Sequence, residues 1–351
     1  MAAPAEFLSA LVRVGPDRGD HRVATRAMVS VLVPLLVLAA VGRLEWSIYA
    51  TFGAFASLYG RDRVHPARTR MQLTLAVVLT AVVGLGVAVG SLDERRWVAV
   101  VVGALVAGLA SLASDAQGWH PPGPLFPVFA FGATASIDSV PGDVPTAVLV
   151  AGGAGLFAVV VGNAGAAYRL RRRPHAARRT PVRAADFGAV ARRHVARCAG
   201  AALVAGAVAT GLGIGHPYWA VVGAVVPLAA RQLPAQVLRG AHRLVGTGLG
   251  LGVAALLLWL DPTGLPLILV IVALQGVAEL LVGRNYALAL VAVTPLALLV
   301  GHLAAPSPAG PLLRDRAVET VVGVAVGVAV GWLTRDRRPR PPREPGSAAP
   351  A

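Results

Sequence analysis

Three Arg-x-x-x-Thr pairs stand out in this chain: Arg70 with Thr74, Arg243 with Thr247, and Arg316 with Thr320. Residues four apart share a helix face, so each guanidinium is expected above a hydroxyl at a helix start. A guanidinium holds a carboxylate through two parallel hydrogen bonds, and several such pairs around one axis would attract small organic anions. The plainer reading is that these arginines snorkel to an interface and fix helix depth. Glu279 is, by sequence, the most deeply placed acidic residue of the second half, and a carboxyl at that depth could carry a coupling proton. It could equally pair with Arg284, five residues on. The run GRNYALA supplies Arg284, Asn285 and Tyr286, which could bond a carboxylate or an aromatic ring. Thr294 precedes Pro295, and a helical proline frees the carbonyl one turn earlier, often marking a kink beside a pathway. His216-Pro217-Tyr218-Trp219 opens a further apolar run, where Tyr218 and Trp219 suit either substrate stacking or an interfacial aromatic belt.

Enzyme signatures are missing from the sequence. It has no Walker A motif, so ATP is not the evident energy source, and no HExxH, CxxC or GxSxG. The eight histidines are scattered, mostly in loops, so neither a metal nor a cofactor is expected. The single cysteine, Cys198, excludes an intramolecular disulfide and reads as a small packing residue.

Those side chains must be positioned by elements that are unusually apolar. Of the 351 residues, 56% are hydrophobic and 14% charged, with a mean hydropathy of +0.68. A soluble domain carries roughly 25% charged residues. This chain has too few to cover a globular surface, and its apolar residues come in blocks approaching the ~20 that cross a hydrocarbon core. An all-α integral membrane protein follows, because in lipid every backbone group must bond within its own segment. Twelve segments are predicted, at 23–42, 46–60, 71–90, 97–114, 124–137, 144–167, 195–214, 218–230, 244–260, 264–282, 285–304 and 317–333. The second, fifth and eighth are short enough to be tilted, broken or re-entrant. The net charge of +15 comes from arginine alone. These arginines lie between apolar blocks rather than along one polar face, so nucleic-acid binding is set aside. The lysine-free, Ala/Gly/Val-rich composition points to a GC-rich bacterial source. No removable signal peptide is evident, and Phe7, Leu8, Leu11 and Val12 could form one face of a short interfacial helix or belong to a disordered tail.

Placing both termini in the cytoplasm leaves only Arg43, Arg95, Arg96, Arg314 and Arg316 of the 32 arginines outside. That bias agrees with the positive-inside rule and predicts a multi-pass protein of the bacterial inner membrane. The weak point is the Asp93–Arg96 loop, which puts two arginines outside. The second half repeats features of the first. Arg22-x-x-x-Arg26 matches Arg193-x-x-x-Arg197, Trp46 matches Trp219, and Arg70 and Arg243 each lie 24 residues after their tryptophan. Two parallel six-helix repeats are therefore expected, related by an axis along the membrane normal. The boundaries predicted are a cytoplasmic segment 1–22, a first repeat 23–168, an Arg/Pro-rich linker 169–192, a second repeat 193–334 and a disordered tail 335–351. Gly323-x-x-x-Gly327-x-x-x-Gly331 and the interleaved Gly246-x-x-x-Gly250 and Gly248-x-x-x-Gly252 should let helices approach closely.

HPYWA opening a short span, Arg243-x-x-x-Thr247 on a Gly-rich helix, E-x-x-x-x-RNYALA with a following TP, and Arg316-x-x-x-Thr320-x-x-Gly323 together resemble the FUSC (fusaric acid resistance-like) family, which groups with aromatic acid exporters. The likeness covers most of 190–335, and 20–90 more loosely through the repeat. It implies a six-helix unit that moves organic anions such as aromatic carboxylates outward, driven by the proton gradient. The matching positions are Tyr218, Trp219, Arg243, Thr247, Glu279, Arg284, Asn285, Tyr286, Thr294 and Arg316, with no catalytic residue to carry over. Larger proteins of this kind have a sizeable cytoplasmic domain, which the short linker here does not match. The function expected is proton-coupled efflux of small organic anions. A passive anion channel ranks second and a non-transporting scaffold third. The partners expected are the anion and the bilayer, with a homo-oligomer also open.

Overall fold

The computed structural model describes residues 4–16, 19–61, 63, 66–172 and 188–335. Among these residues the chain is all helical: α1 (Pro4–Val12), α2 (Asp20–Ala40), α3 (Ser47–Ala54), α4 (Ala67–Gly90), α5 (Arg95–Gln117), α6 (Leu125–Ala135), α7 (Asp143–Arg172), α8 (Ala189–Gly211), α9 (Tyr218–Leu228), α10 (Leu233–Leu260), α11 (Gly264–Val282), α12 (Tyr286–Ala304) and α13 (Ala309–Leu333). Short 3-10 turns at Leu44–Trp46 and Phe55–Leu58 flank α3. Each of the twelve expected segments falls on one of α2 to α13. Nine of these helices, among the described residues, are long and apolar enough to cross a membrane. The other three, α3, α6 and α9, have 8, 11 and 11 residues. At 1.5 Å per residue they reach about 12–17 Å, roughly half of a ~30 Å hydrocarbon core.

Their boundaries have local causes. Gly60, at φ 74°, turns the chain away after the α3 segment. Pro124 and Pro217 immediately precede α6 and α9. The half-length helices survive because other helices wrap them: every residue of α3, and every residue of α9 from Trp219 onward, is buried. A helix end inside a bundle needs internal partners for its free carbonyls. Gln72 of α4, fully buried, donates through Nε2 to the carbonyls of Tyr59 at 3.2 Å and Ser57 at 3.4 Å, just past α3. Gln236 of α10 likewise donates to the Ala230 carbonyl at 2.8 Å, just past α9. Gly162 on α7 and Gly331 on α13 leave room for these amides, since a Cβ at either position would strike the glutamine.

Two seams fix the second half. Gly323 and Gly327 of α13 lie so close to α9 that a Cβ on either would collide with the carbonyl of Ala220 or Ala224. Gly246 and Gly250 of α10 pack in the same way on α12, against Ala287, Leu290 and Thr294. The interleaved Gly248 and Gly252 face open space, so that pair makes no helix contact. Between the halves, α2 packs on α11, α5 on α8, α6 on α9 and α3 on α12. The outer surface is apolar: Leu109 is 68% exposed, Leu149 74% and Trp259 78%. A surface of this kind suits lipid rather than water.

Several helices begin earlier than expected, α10 and α13 by the most. α10 starts at Leu233 rather than 244, because Gln236, His242 and Arg243 turn inward and are buried. α13 starts at Ala309 rather than 317. Arg243 and Arg316 thus lie inside their helices, whereas Arg70 sits in the first turn of α4. The short N-terminal helix exists, as α1, and the chain after it is fastened to the second half. Gly15 N donates to the Arg284 carbonyl at 2.9 Å, and Asn285 Nδ2 donates to the carbonyls of Leu11 and Arg13 at 3.0 and 3.1 Å. Residues 173–187 of the expected linker and 336–351 of the expected tail lie outside the described residues.

Candidate functional site

Four helices of the second half bring polar side chains to one interior point. Pro217 ends a loop so that α9 opens with Tyr218 and Trp219. α13 contributes Arg316, Glu319 and Thr320 on a single face, all buried. α10 adds Arg243 and α12 adds Tyr286. The Arg316 guanidinium lies over the Trp219 ring, 4.8 Å from its centroid, and His216 stacks on the same indole at 4.9 Å. Arg243 donates through Nη1 to the Tyr286 hydroxyl at 3.2 Å. Beyond these contacts both arginines are unsatisfied: Nε and Nη2 of Arg243, and Nε and Nη1 of Arg316, have no hydrogen-bond partner in the protein. Only 2% and 3% of their surface is exposed, and the two guanidiniums interact electrostatically. Two like charges out of water, each with free N–H groups, cost several kcal/mol unless something negative joins them.

Both arginines line a cavity of about 120 Å³ between the two halves. The first half supplies its aromatic wall through Phe52, Phe55, Phe126 and Phe129. Phe129 stacks on Tyr218 at 6.0 Å and meets Phe52 edge-on at 5.1 Å. An apolar cavity of ~150 Å³ accepts a benzene ring, so this space is of the order of a single ring, with two guanidiniums on its wall. Tyr218 also lines a separate groove of about 150 Å³ that includes Arg95 and Arg96. It therefore stands between that groove and the cavity.

Glu279 also lines the cavity. Its partner is Arg61, not Arg284: Arg61 Nη2 meets Glu279 Oε2 at 2.5 Å, and Gln275 Nε2 approaches Oε1 at 3.4 Å. Arg61 continues into a recess of about 630 Å³ whose wall includes Arg22, Arg26 and Arg68. The Arg61–Glu279 pair thus separates a basic recess from an aromatic cavity. Arg284 instead donates through Nε to the Gly15 carbonyl at 3.2 Å. Asn285 caps α12, accepting from Leu288 N.

Of the residues singled out by sequence, the fold brings Tyr218, Arg243, Glu279, Tyr286 and Arg316 onto the cavity wall, with Trp219 directly behind Arg316. Thr247 and Thr294 are buried without side-chain partners but lie outside the lining. Arg284 and Asn285 hold the N-terminal segment. Arg70 is exposed, and the Thr74 hydroxyl donates to its carbonyl at 3.0 Å, so that pair does not reach the cavity. Sequence reasoning missed Arg61, Gln275, Glu319 and the four phenylalanines. Glu319 is fully buried, deeper than Glu279 at 6% exposure. Its position three residues after Arg316 was the available signal. Its Oε1 accepts from His216 N at 3.0 Å, while Oε2 has no partner in the protein. Among the described residues no group of three or more His, Cys, Asp or Glu could hold a metal ion.

Residues 202–330 match the sequence model of the family described as fusaric acid resistance protein-like. The match takes in both arginines, Glu319, Glu279 and the α9–α13 seam. It does not extend to residues 20–90 or to the phenylalanines of the first half. Comparisons with curated proteins and with solved structures return no match.

Proposed function

We propose, from the premise that residues 202–330 form a fusaric acid resistance protein-like unit, that this membrane protein exports small organic anions, aromatic carboxylates foremost. One observation carries the reading: two buried guanidiniums with free N–H groups face a ring-sized cavity walled by aromatic side chains. A carboxylate would complete both arginines through charge-assisted hydrogen bonds, and the phenylalanines would bury the ring. With the N-terminus in the cytoplasm, the basic recess is the inner vestibule, where Arg22, Arg26, Arg61 and Arg68 raise the local anion concentration. An arriving carboxylate competes with Glu279 for Arg61 and opens the inner side. Tyr218, packed on Phe129, closes the outer side. A salt bridge on one side and a stacked tyrosine on the other suit a carrier better than an open channel, and the buried charge is costly ballast in a scaffold.

Proton coupling belongs to the same proposal, with Glu279 as the group that exchanges the proton. The same proposal reads the repeat in a changed register. Gln72 against Gly162 and Gln236 against Gly331 perform equivalent tasks at the ends of α3 and α9. That equivalence pairs Arg243 with an apolar position of α4 and leaves Arg70 without a counterpart at the site.

The test is flux of labelled benzoate in proteoliposomes, with and without an imposed pH gradient, for wild type, Arg316→Gln and Glu279→Gln. The proposal expects gradient-dependent accumulation, abolished by Arg316→Gln and made gradient-independent by Glu279→Gln. Downhill flux that ignores the gradient and the Glu279 substitution would support a channel. No flux across a panel of carboxylates would leave the scaffold.

A further inference from the structure

Tyr218 lines two spaces, each of the order of a single ring: the cavity of about 120 Å³ and the groove of about 150 Å³. The groove lies where α5, α6, α8 and α9 meet, and small residues such as Gly103 and Gly206 leave room for it. Gly132 of α6 also lines it and brings that helix against Tyr218, since a Cβ there would stand 2.3 Å from the Tyr218 Cβ. The groove reaches the surface at Arg96, Gly213 and Gly215, which are exposed. With both termini in the cytoplasm, this rim faces outward. Two polar groups on the groove are not committed elsewhere. Thr25, Thr51, Thr134 and Thr320 each donate their hydroxyl to the carbonyl four residues back in their own helix. Thr210 of α8 does not: its hydroxyl is buried and has no hydrogen-bond partner in the protein. Arg96, in the first turn of α5, forms no ion pair among the described residues. Its neighbour Arg95 is taken by Asp138 and the Gly90 carbonyl. Of the other carboxylates nearby, Asp315 lies against Gly215 and is held by His216 at 3.3 Å, while Asp93 and Glu94, just ahead of α5, are exposed.

We propose that this groove is a second binding site for an aromatic carboxylate, occupied on the way out, in which Arg96 and the Thr210 hydroxyl hold the carboxylate and Phe131 and Tyr218 flank the ring. The inference rests on the transport reading above and adds the place of release. An exposed guanidinium is screened by water and salt, so Arg96 holds an anion far more weakly than the buried Arg243 and Arg316. The acidic side chains at the rim weaken that hold further. Release requires this order, because an anion bound as tightly outside as inside would not leave. Tyr218 belongs to both walls, so displacing one side chain joins the two sites.

Thiol labelling of the detergent-solubilised full chain tests it. Ala99→Cys places a thiol on the groove lining, Leu92→Cys places one on the exposed loop before α5 as a control, and the buried Cys198 gives the background. Benzoate is expected to slow maleimide labelling of Ala99→Cys and to leave Leu92→Cys unchanged. Benzyl alcohol, which has the ring without the charge, should not protect. Thr210→Val keeps the shape and removes only the unpartnered hydroxyl, and Arg96→Gln removes an exposed charge, so both variants should fold. Each should raise the benzoate concentration for half-protection by roughly 5-fold, whereas Arg316→Gln should leave it unchanged. Protection that survives both Arg96→Gln and Thr210→Val but is lost in Arg316→Gln would overturn the inference, because benzoate would then act from the cavity. Equal protection by benzyl alcohol would also overturn it, since the groove would then bind a ring and not a carboxylate. Flux of labelled benzoate in proteoliposomes separates the two readings. Gradient-dependent flux without protection removes the inference and leaves the transport reading, while absence of flux overturns the transport reading and the release role with it.

Discussion

The Arg61–Glu279 contact joins residues 218 positions apart, and its energetics should expose how the inner side of the cavity is held shut. The side chains are 14% and 7% exposed, so screening is weak and a lost partner leaves a charge largely out of water. Removing one member of such a pair costs about 3–5 kcal/mol. Arg61→Gln should fall near the lower end, about 3 kcal/mol, because Arg26 remains within electrostatic reach of Glu279. Glu279→Gln should cost less, about 1–2 kcal/mol, because Arg61 opens onto the recess and can draw on water there. The double variant removes both charges and should be no worse than Arg61→Gln alone, which gives a coupling energy of roughly 1–2 kcal/mol. The assay is denaturant unfolding of the detergent-solubilised protein, followed by tryptophan fluorescence, for the four members of the cycle. Both single variants should also leak benzoate from proteoliposomes without regard to the pH gradient. Additivity of the two substitutions within about 0.5 kcal/mol would refute the reasoning, since it would mean that the two charges do not act on each other in the membrane.

Other outcomes follow from the packing. Gly323→Ala sets a Cβ against the Ala220 carbonyl on one side and the Gly223 Cα, 2.8 Å away, on another. Backbone cannot rotate aside, so unfolding should show a loss of about 1–3 kcal/mol. Gly248→Ala meets nothing within 4 Å, and in the same measurement should be neutral or stabilising by up to about 1 kcal/mol through helix propensity. Asn285→Ala removes the cap of α12 together with both bonds to the N-terminal segment. It should cost about 1–2 kcal/mol and hasten proteolytic cleavage between α1 and α2.

The sequence and the structure part company at identifiable places. Apolar blocks located every helix from α2 to α13, because the need to satisfy the backbone in lipid leaves few alternatives to a helix. Even the three short segments were visible, since Pro and Gly mark their edges. Helix starts were not visible where buried polar residues opened a helix. α10 runs through Gln236, His242 and Arg243, and a reading by apolarity stops at such residues. That error put Arg243 at a helix start and paired it with Arg70. In the fold the two differ in burial, Arg243 being buried and Arg70 exposed. The GxxxG pattern shows a similar limit. Spacing alone cannot tell Gly246 and Gly250, which meet α12, from Gly248 and Gly252, which face outward.

The amino-acid sequence by itself pointed to an all-helical, multi-pass membrane protein, because composition and local periodicity reflect the bilayer directly. It also carried the family likeness over residues 202–330. Only the tertiary structure decided that Arg243 and Arg316 share one cavity, that Phe52, Phe55, Phe126 and Phe129 from the other half wall it, and that Arg61 rather than Arg284 holds Glu279. Those pairings depend on which helix faces meet across more than seventy residues of chain. Side-chain periodicity places a residue on a face, but packing against a distant helix decides what that face touches.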